Sequence, residues 1–331
     1  MNKKVQVLRA VAILAVVLIH TSPQGIFKIG LRPFINFSTG LFLFLSGYLT
    51  KIHIENKGEF YKKRIVRVLI PYLLWTCLYT AISGNFTAIF SNILTTNACY
   101  TLYYVSVYIQ LMLITPFLEK IINSKYRWIG FAIQPLFILI LIYGTNLIGK
   151  PLAYPWNAIF CVVWFSFYYI GLLLGNHVIQ IKLSRTKLIV LYLISIGLQL
   201  TEGAIWYLAD NATMAATQIK FTSMLSTILF LIIAYRYIES SNYAIPENET
   251  ESAPKLAFIK KCYDFLILIG DCSFGIFLSH PLLIIIAGKL PFYRYIPFPI
   301  NSICILLVSL ICVVIGRKVL GKTLGKYIGV Y

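Results

Sequence analysis

Charged residues are scarce in this sequence. Of its 331 residues, 12% are charged and 59% are hydrophobic, and only 11 residues are acidic. Soluble domains carry about 25% charged residues, so the composition excludes an ordinary soluble domain. The apolar residues come in blocks near twenty long, enough for a helix to cross a hydrocarbon core of roughly 30 Å. The chain is therefore predicted to be an integral membrane protein.

Signals for metal binding and for secretion are also missing. The seven cysteines form no CxxC pair and have no histidine nearby at ligand spacing, so they are interpreted as small core hydrophobes and no metal site is predicted. Lys3 and Lys4 precede an apolar run that resembles a signal peptide. That run contains Arg9 and ends without a small-x-small cleavage site, so the first span is expected to stay in the protein.

The apolar blocks predict an all-α, polytopic transmembrane helical bundle of about ten spans. The predicted spans are 5–22, 33–50, 66–83, 102–122, 129–148, 158–175, 187–208, 218–237, 265–288 and 300–318. An even number places both termini on one side. With Lys3 and Lys4 inside, about 22 of the 29 basic residues flank the cytoplasmic ends, which predicts cytoplasmic termini.

The net charge of +18 does not indicate nucleic-acid binding, because the basic residues lie in short segments beside the spans. They favour membrane topology and contact with lipid headgroups. The polar, acidic segment 239–262 is interpreted as a flexible cytoplasmic loop. Residues 1–331 are thus expected to form one membrane domain with no extramembrane domain.

Ionisable residues inside spans are costly and are candidates for function. Arg9 and His20 are eleven residues apart, about 1100° of helix, so they share one face with His20 roughly 16 Å further along. The alternative is that Arg9 snorkels to lipid phosphates and His20 marks the outer interface. Glu202 closes the seventh span, where it either contacts an acceptor hydroxyl or is simply hydrated.

Two further clusters stand out. Arg64 and Arg67 are one helical turn apart before Pro71. Their forked guanidinium donors suit phosphates, including those of a nucleotide cofactor. The alternative is that the pair is an ordinary positive-inside anchor. In the ninth span, Ser273 and His280 share a face, with Asp271 on the cytoplasmic side. Pro281 is expected to bend that helix and to free backbone carbonyls that need partners.

Together these features resemble the membrane-bound acyltransferase type 3 family, or acyltransferase-3. The resemblance rests on Arg9 and His20 in RAVAILAVVLIH, on GLFLFLSGY in the second span, on Arg64 and Arg67, and on SFGIFLSHP from Ser273. It implies a bundle that moves an acyl group, usually acetyl, from cytoplasmic acyl-CoA to a hydroxyl of a glycan or other acceptor. It also implies cell-membrane localisation.

By match of position, His20 would be the catalytic histidine and Arg9 its partner on the acyl-donor path, with Arg64 and Arg67 where CoA enters. A pantetheine arm is comparable in length to the Arg9-to-His20 separation. His20 could act as a general base or as a nucleophile, and Arg9 or Ser46 could stabilise the oxyanion. Because some members carry a hydrolase-like domain that this sequence lacks, direct transfer or a partner protein of envelope biosynthesis is expected.

Two other classes of function stay open at this point. A transporter or exporter of glycans or small solutes also places ionisable residues within helices, although no pair of similarly broken helices is evident in the two halves. A non-catalytic scaffold in an envelope-polysaccharide complex is the third reading. The acceptor, and acetyl against succinyl as the acyl group, are not fixed by the sequence.

Overall fold

All regular structure in residues 2–240 and 254–331, the part of the chain that this computed structural model describes, is helical. The predicted all-α class is therefore confirmed. In chain order the main helices are α1 (Lys3–Thr21), α2 (Ile26–Ile35), α3 (Phe37–Tyr48), α4 (Lys57–Ile82), α5 (Phe86–Thr95), α6 (Tyr103–Ile122), α7 (Lys125–Leu147), α8 (Phe165–Gly175), α9 (Arg185–Leu208), α10 (Phe221–Glu239), α11 (Pro254–Asp271), α12 (Ser273–Gly288) and α13 (Ile300–Ile328).

The number of spans is lower than the sequence predicts. Within the described residues, eight helices are long and apolar enough to cross a membrane, where α2 with α3 counts as one. The pair α11 and α12, bent by 75°, gives a ninth if it is taken as a single span. The described residues therefore provide eight or nine candidate spans, which does not confirm the expected count of about ten, and the chain has the helices of a multi-pass membrane protein.

The predicted span 158–175 accounts for part of this difference. Only α8 is helical there for any length, and its 11 residues extend about 16 Å, roughly half of a hydrocarbon core. All 11 are buried against other helices. A Cβ added to Gly171 would lie 2.2 Å from the carbonyl oxygen of Phe44, so glycine permits backbone contact between α8 and α3. Helix α8 is thus a buried core helix.

The ninth predicted span is broken, but not where proline predicts. The bend of 75° lies at Cys272, between α11 and α12, whereas Pro281 lies inside the continuous helix α12. At the end of α11, a Cβ on Gly270 would lie 1.9 Å from the carbonyl oxygen of Gln6. The absence of a side chain at Gly270 therefore brings the bend against α1, close to Arg9.

The polar segment predicted as a loop over 239–262 is shorter than expected. Helix α10 ends at Glu239 and α11 begins at Pro254, so residues 254–262 are helical. Residues 241–253 lie outside the described residues. After the last predicted span, α13 continues to Ile328 past Gly321, whose φ of 63° interrupts the helical path.

The interpretation of the cysteines as core residues fits only some of them: Cys99 and Cys272 are buried, whereas Cys77, Cys262 and Cys312 are exposed. Cys99 is 7% exposed, and burial raises the pKa of its thiol above the ordinary value. Among the described residues, no group of three or more metal-ligating side chains could hold a metal ion.

Candidate active site

Helix α1 carries both of the residues that the sequence singles out first. It runs unbroken from Lys3 to Thr21, begun by the Asn2 side chain, which accepts a hydrogen bond of 3.0 Å from the Lys4 amide. Arg9 and His20 are therefore held on one rigid element, roughly 16 Å apart along its axis. Arg9 and His20 line two different cavities.

The first cavity, called here the arginine cavity, has a volume of about 590 Å³. Its wall brings together Arg9, Arg64, Arg67, Ser46 and Ser273 from four helices. A π-helical turn at Lys62–Val66 lies within α4 and contains Arg64. The structure thus brings Arg9 together with the Arg64 and Arg67 pair in the wall of one cavity.

The guanidinium groups that line the arginine cavity have few hydrogen-bond or ion-pair partners among the described residues. Arg64 donates a hydrogen bond of 3.1 Å to the carbonyl oxygen of Leu49. Within residues 2–240 and 254–331, Arg9 and Arg67 have neither a hydrogen-bond partner nor an ion-pair partner. Unmatched cations around a cavity favour an anionic ligand, and forked guanidinium donors suit phosphate oxygens.

The second cavity, called here the histidine cavity, has a volume of about 380 Å³ and lies beside the end of α1. It is lined by His20, by Lys28 and Arg32 of α2, and by Tyr103 of α6. The His20 ring lies 4.8 Å from the Tyr100 ring and 5.6 Å from the His280 ring, measured between centroids. The structure thus pairs the two membrane histidines that the sequence left on separate spans.

The tautomer of His280 follows from its hydrogen bond. Its Nδ1 lies 3.0 Å from the carbonyl oxygen of Ile276, which can only accept, so Nδ1 carries the proton. In the neutral ring, Nε2 then holds a lone pair, and that atom is buried without a partner in the described part of the chain. His280 therefore offers an acceptor close to His20.

Aromatic side chains connect the wall of the arginine cavity with His280. Tyr104 and Phe277 line the arginine cavity, and their rings are 5.4 Å apart. The Phe277 ring is also 6.3 Å from that of His280. Ring contacts therefore continue from Tyr104 through Phe277 and His280 to His20.

Comparison with known proteins supplies the family. A family model described as an acyltransferase domain, that of acyltransferase-3, matches residues 2–317 of the 331-residue chain. The chain belongs to the acyltransferase-3 family. A search of curated proteins gave no match, and neither did a search of solved structures.

In this acyltransferase the ninth predicted span is held in place by a residue that sequence reasoning missed. The Tyr79 hydroxyl donates to the Leu278 carbonyl oxygen at 2.7 Å and accepts from the Leu282 amide at 3.2 Å. It therefore stands between two backbone groups that would otherwise pair with each other. The partner expected for backbone groups near Pro281 is thus supplied by α4, on both sides of His280.

Arg317 is a second residue of this acyltransferase that sequence reasoning missed. Its guanidinium forms an ion pair with Asp271 and donates a further hydrogen bond of 2.9 Å to the Asp271 carbonyl oxygen. It also donates to the carbonyl oxygen of Val330. Asp271, the one acidic side chain among the described residues of the arginine cavity, is therefore already paired, and the cavity keeps its positive character. No local sequence signal marks this pair, since its members are 46 residues apart.

The terminal residues of the described chain complete this cavity. Val330 and Tyr331 line it together with Arg9, although both lie beyond the stretch matched by the acyltransferase model. A second, adjoining groove of about 620 Å³ is lined by Arg67, Lys322 and Lys326. The basic surface around the arginine cavity is therefore wider than the sequence motifs indicate.

Glu202 lies in neither cavity. Its carboxylate accepts hydrogen bonds from Tyr143 and Thr222, and one of 3.4 Å from the Trp206 indole. A carboxylate whose oxygens are already bound is poorly placed to accept a substrate hydroxyl. The structure does not bring Glu202 to the other site residues of this acyltransferase.

Proposed function

We propose that this acyltransferase moves an acyl group, acetyl in the first instance, from cytoplasmic acyl-CoA to a hydroxyl of a cell-envelope glycan or related acceptor. One observation carries the proposal. A single helix, α1, presents Arg9 to a cavity rich in guanidinium groups and His20 to a second cavity, roughly 16 Å away. Two separate cavities on one helix support a division between donor binding at Arg9 and chemistry at His20.

The arginine cavity suits the phosphates of acyl-CoA. Arg9, Arg64 and Arg67 line it, and the carboxylate of Asp271 is paired with Arg317. The excess of basic residues at this end favours the cytoplasmic side, where acyl-CoA is made. The pantetheine arm would extend along α1 towards His20, past the rings of Tyr104 and Phe277.

The reaction at His20 takes one of two routes. In the first, neutral imidazole takes the proton of the acceptor hydroxyl while the oxygen bonds to the thioester carbon; the C–S bond breaks and the thiolate receives a proton. In the second, the imidazole nitrogen attacks the thioester, and CoA leaves as its thiol with the ring proton. The acceptor hydroxyl then attacks the acyl-imidazole, and its proton returns to the ring.

The two routes differ in whether an acetyl group becomes covalently attached to the protein when no acceptor is present. Purified protein is incubated with acetyl-CoA labelled in the acetyl group, and the label on the protein is measured after rapid quenching. The nucleophile route leaves label on wild-type protein that is absent from His20→Gln. The general-base route leaves none on either protein.

The proposal is tested by His20→Gln with His53→Gln as its matched control. His53 is exposed and lines neither cavity, so its replacement should leave transfer unchanged. His20→Gln should abolish transfer of labelled acetyl to envelope material in membranes, while thermal stabilisation of the purified protein by CoA is retained. Transfer by His20→Gln at the wild-type rate would refute the assignment.

The donor site is tested separately by Arg67→Gln. Its side chain is exposed and has no partner among the described residues, so the fold should tolerate the change. We expect the KM for acetyl-CoA to rise about tenfold, the loss typical of one charge-assisted contact. An unchanged KM would place the CoA phosphates elsewhere.

A further inference from the structure

The histidine cavity has a strongly one-sided charge. Lys28 and Arg32 lie one turn apart on α2, and both line it beside His20. No aspartate or glutamate is among the described residues of its wall. In a membrane protein, two cations facing one small cavity are unfavourable unless an anion balances them.

The two cations have little compensation from the protein. Arg32 Nε is buried without a hydrogen-bond partner in the described part of the chain, and Nη1 reaches only the Asn36 side chain, at 3.5 Å. Lys28 donates to the neutral Gln24 side chain at 2.9 Å. Neither forms an ion pair with another described residue. The guanidinium is thus held in place with donor capacity to spare.

The rest of the wall offers acceptors. The side-chain oxygens of Asn157 and Gln218, which both line the cavity, are buried and have no partner among the described residues. Amide oxygens of this kind accept hydrogen bonds from hydroxyl groups. A ligand that satisfies the whole wall therefore carries a negative group and several hydroxyls.

The geometry points to an anionic glycan as the acceptor, a sugar whose carboxylate or phosphate binds Lys28 and Arg32 while a hydroxyl faces His20. This inference rests on the proposed function and narrows it to a class of acceptor. The negative group is not consumed; it fixes the sugar so that one hydroxyl lies beside the imidazole. Neutral sugars lack the group that the two cations require.

The first test identifies the charge of the natural acceptor. Membranes that contain the wild-type protein or His20→Gln are incubated with labelled acetyl-CoA. Glycans that carry the labelled ester only with the wild-type protein are then separated by anion exchange. The label should elute with the anionic glycans. If phosphatase treatment abolishes retention of the labelled glycan on the column, the negative group is a phosphate; if carboxyl reduction abolishes retention, it is a carboxylate. Elution with neutral glycans would overturn the inference. If no label depended on His20, the proposed function itself would fail.

The second test uses the two cations. In Arg32→Gln and in Lys28→Gln, the acceptor KM should rise about tenfold or more while the KM for acetyl-CoA stays unchanged, because charge-assisted bonds are lost only in the histidine cavity. Lys150→Gln is the matched control, since Lys150 is exposed and lines neither cavity. Lys28→Gln keeps the test valid if Arg32→Gln fails to fold. An acceptor KM unchanged in a folded Arg32→Gln would contradict the inference.

A lipid headgroup offers the same phosphate chemistry. The purified protein is therefore assayed in vesicles of phosphatidylcholine and of phosphatidylglycerol, with the anionic glycan from the first test as acceptor. Equal acceptor KM values in both support a glycan site. An acceptor KM that rises in phosphatidylglycerol, and does so only when Arg32 is present, would assign the site to lipid phosphate instead.

Discussion

Gly270→Ala tests how the bend between α11 and α12 is fitted against α1. The added Cβ would lie 1.9 Å from the Gln6 carbonyl oxygen, whereas ordinary contacts begin at 3.4 Å. Because the obstructing atom belongs to the backbone, no side-chain rotation relieves the clash. The two helices must separate by about 1.5 Å, the difference between these distances.

The expected loss of stability is large. Overpacking typically costs about 1–3 kcal/mol, and a clash with backbone belongs at the upper end. At about 2 °C per kcal/mol for a large chain, Tm should fall by roughly 6 °C. The separation would also shift Asp271 and Ser273 in the wall of the arginine cavity, so stabilisation by CoA should weaken.

The assay is thermal unfolding of the purified protein in detergent, with and without CoA. Gly197→Ala is the control, because Gly197 is an exposed helical glycine with nothing within 4 Å of an added Cβ. Alanine favours helix by about 1 kcal/mol over glycine, so this variant should melt at or slightly above the wild-type temperature. Equal Tm values for Gly270→Ala and Gly197→Ala would refute the packing argument.

Three further predictions concern the core and the two cavities. Gly171→Ala should lower Tm by several degrees in the same assay, because its Cβ would lie 2.2 Å from a backbone oxygen, and an unchanged Tm would contradict the close contact. Tyr79→Phe should lower kcat with little change in the KM for acetyl-CoA, since the hydroxyl fixes the helix around His280; a normal kcat would show that it is structural only. Arg317→Met should raise the KM for acetyl-CoA several-fold by freeing the carboxylate of Asp271 into the arginine cavity, and an unchanged KM would show that this charge is remote from the donor.

Much of the candidate site was accessible from local sequence. The Arg9-to-His20 spacing predicts a shared helix, and Arg64 and Arg67 are recognisable as a basic pair, because helical periodicity fixes relations within about a turn or along one rigid helix. Tyr79 and Arg317 could not be found in this way. Their partners lie on other helices, and hydrophobic periodicity contains no information on which helices meet.

The span count shows a second limit. An apolar segment predicts burial away from water, but it does not tell lipid from protein as the surroundings. Helix α8 is as apolar as a span, yet it is short and enclosed by other helices. Its glycines give a hint of close packing, although GxxxG patterns alone do not identify the partner.

By itself, the sequence determined that this protein is helical and membrane-embedded, that Arg9 and His20 share a helix, and that the chain resembles the acyltransferase-3 family. These properties follow from composition and from short-range periodicity. Only the tertiary structure decided that the two residues open into separate cavities, that His280 faces His20, and that Glu202 is bound elsewhere. Such relations depend on contacts between helices distant in the chain, and close packing of those helices sets them.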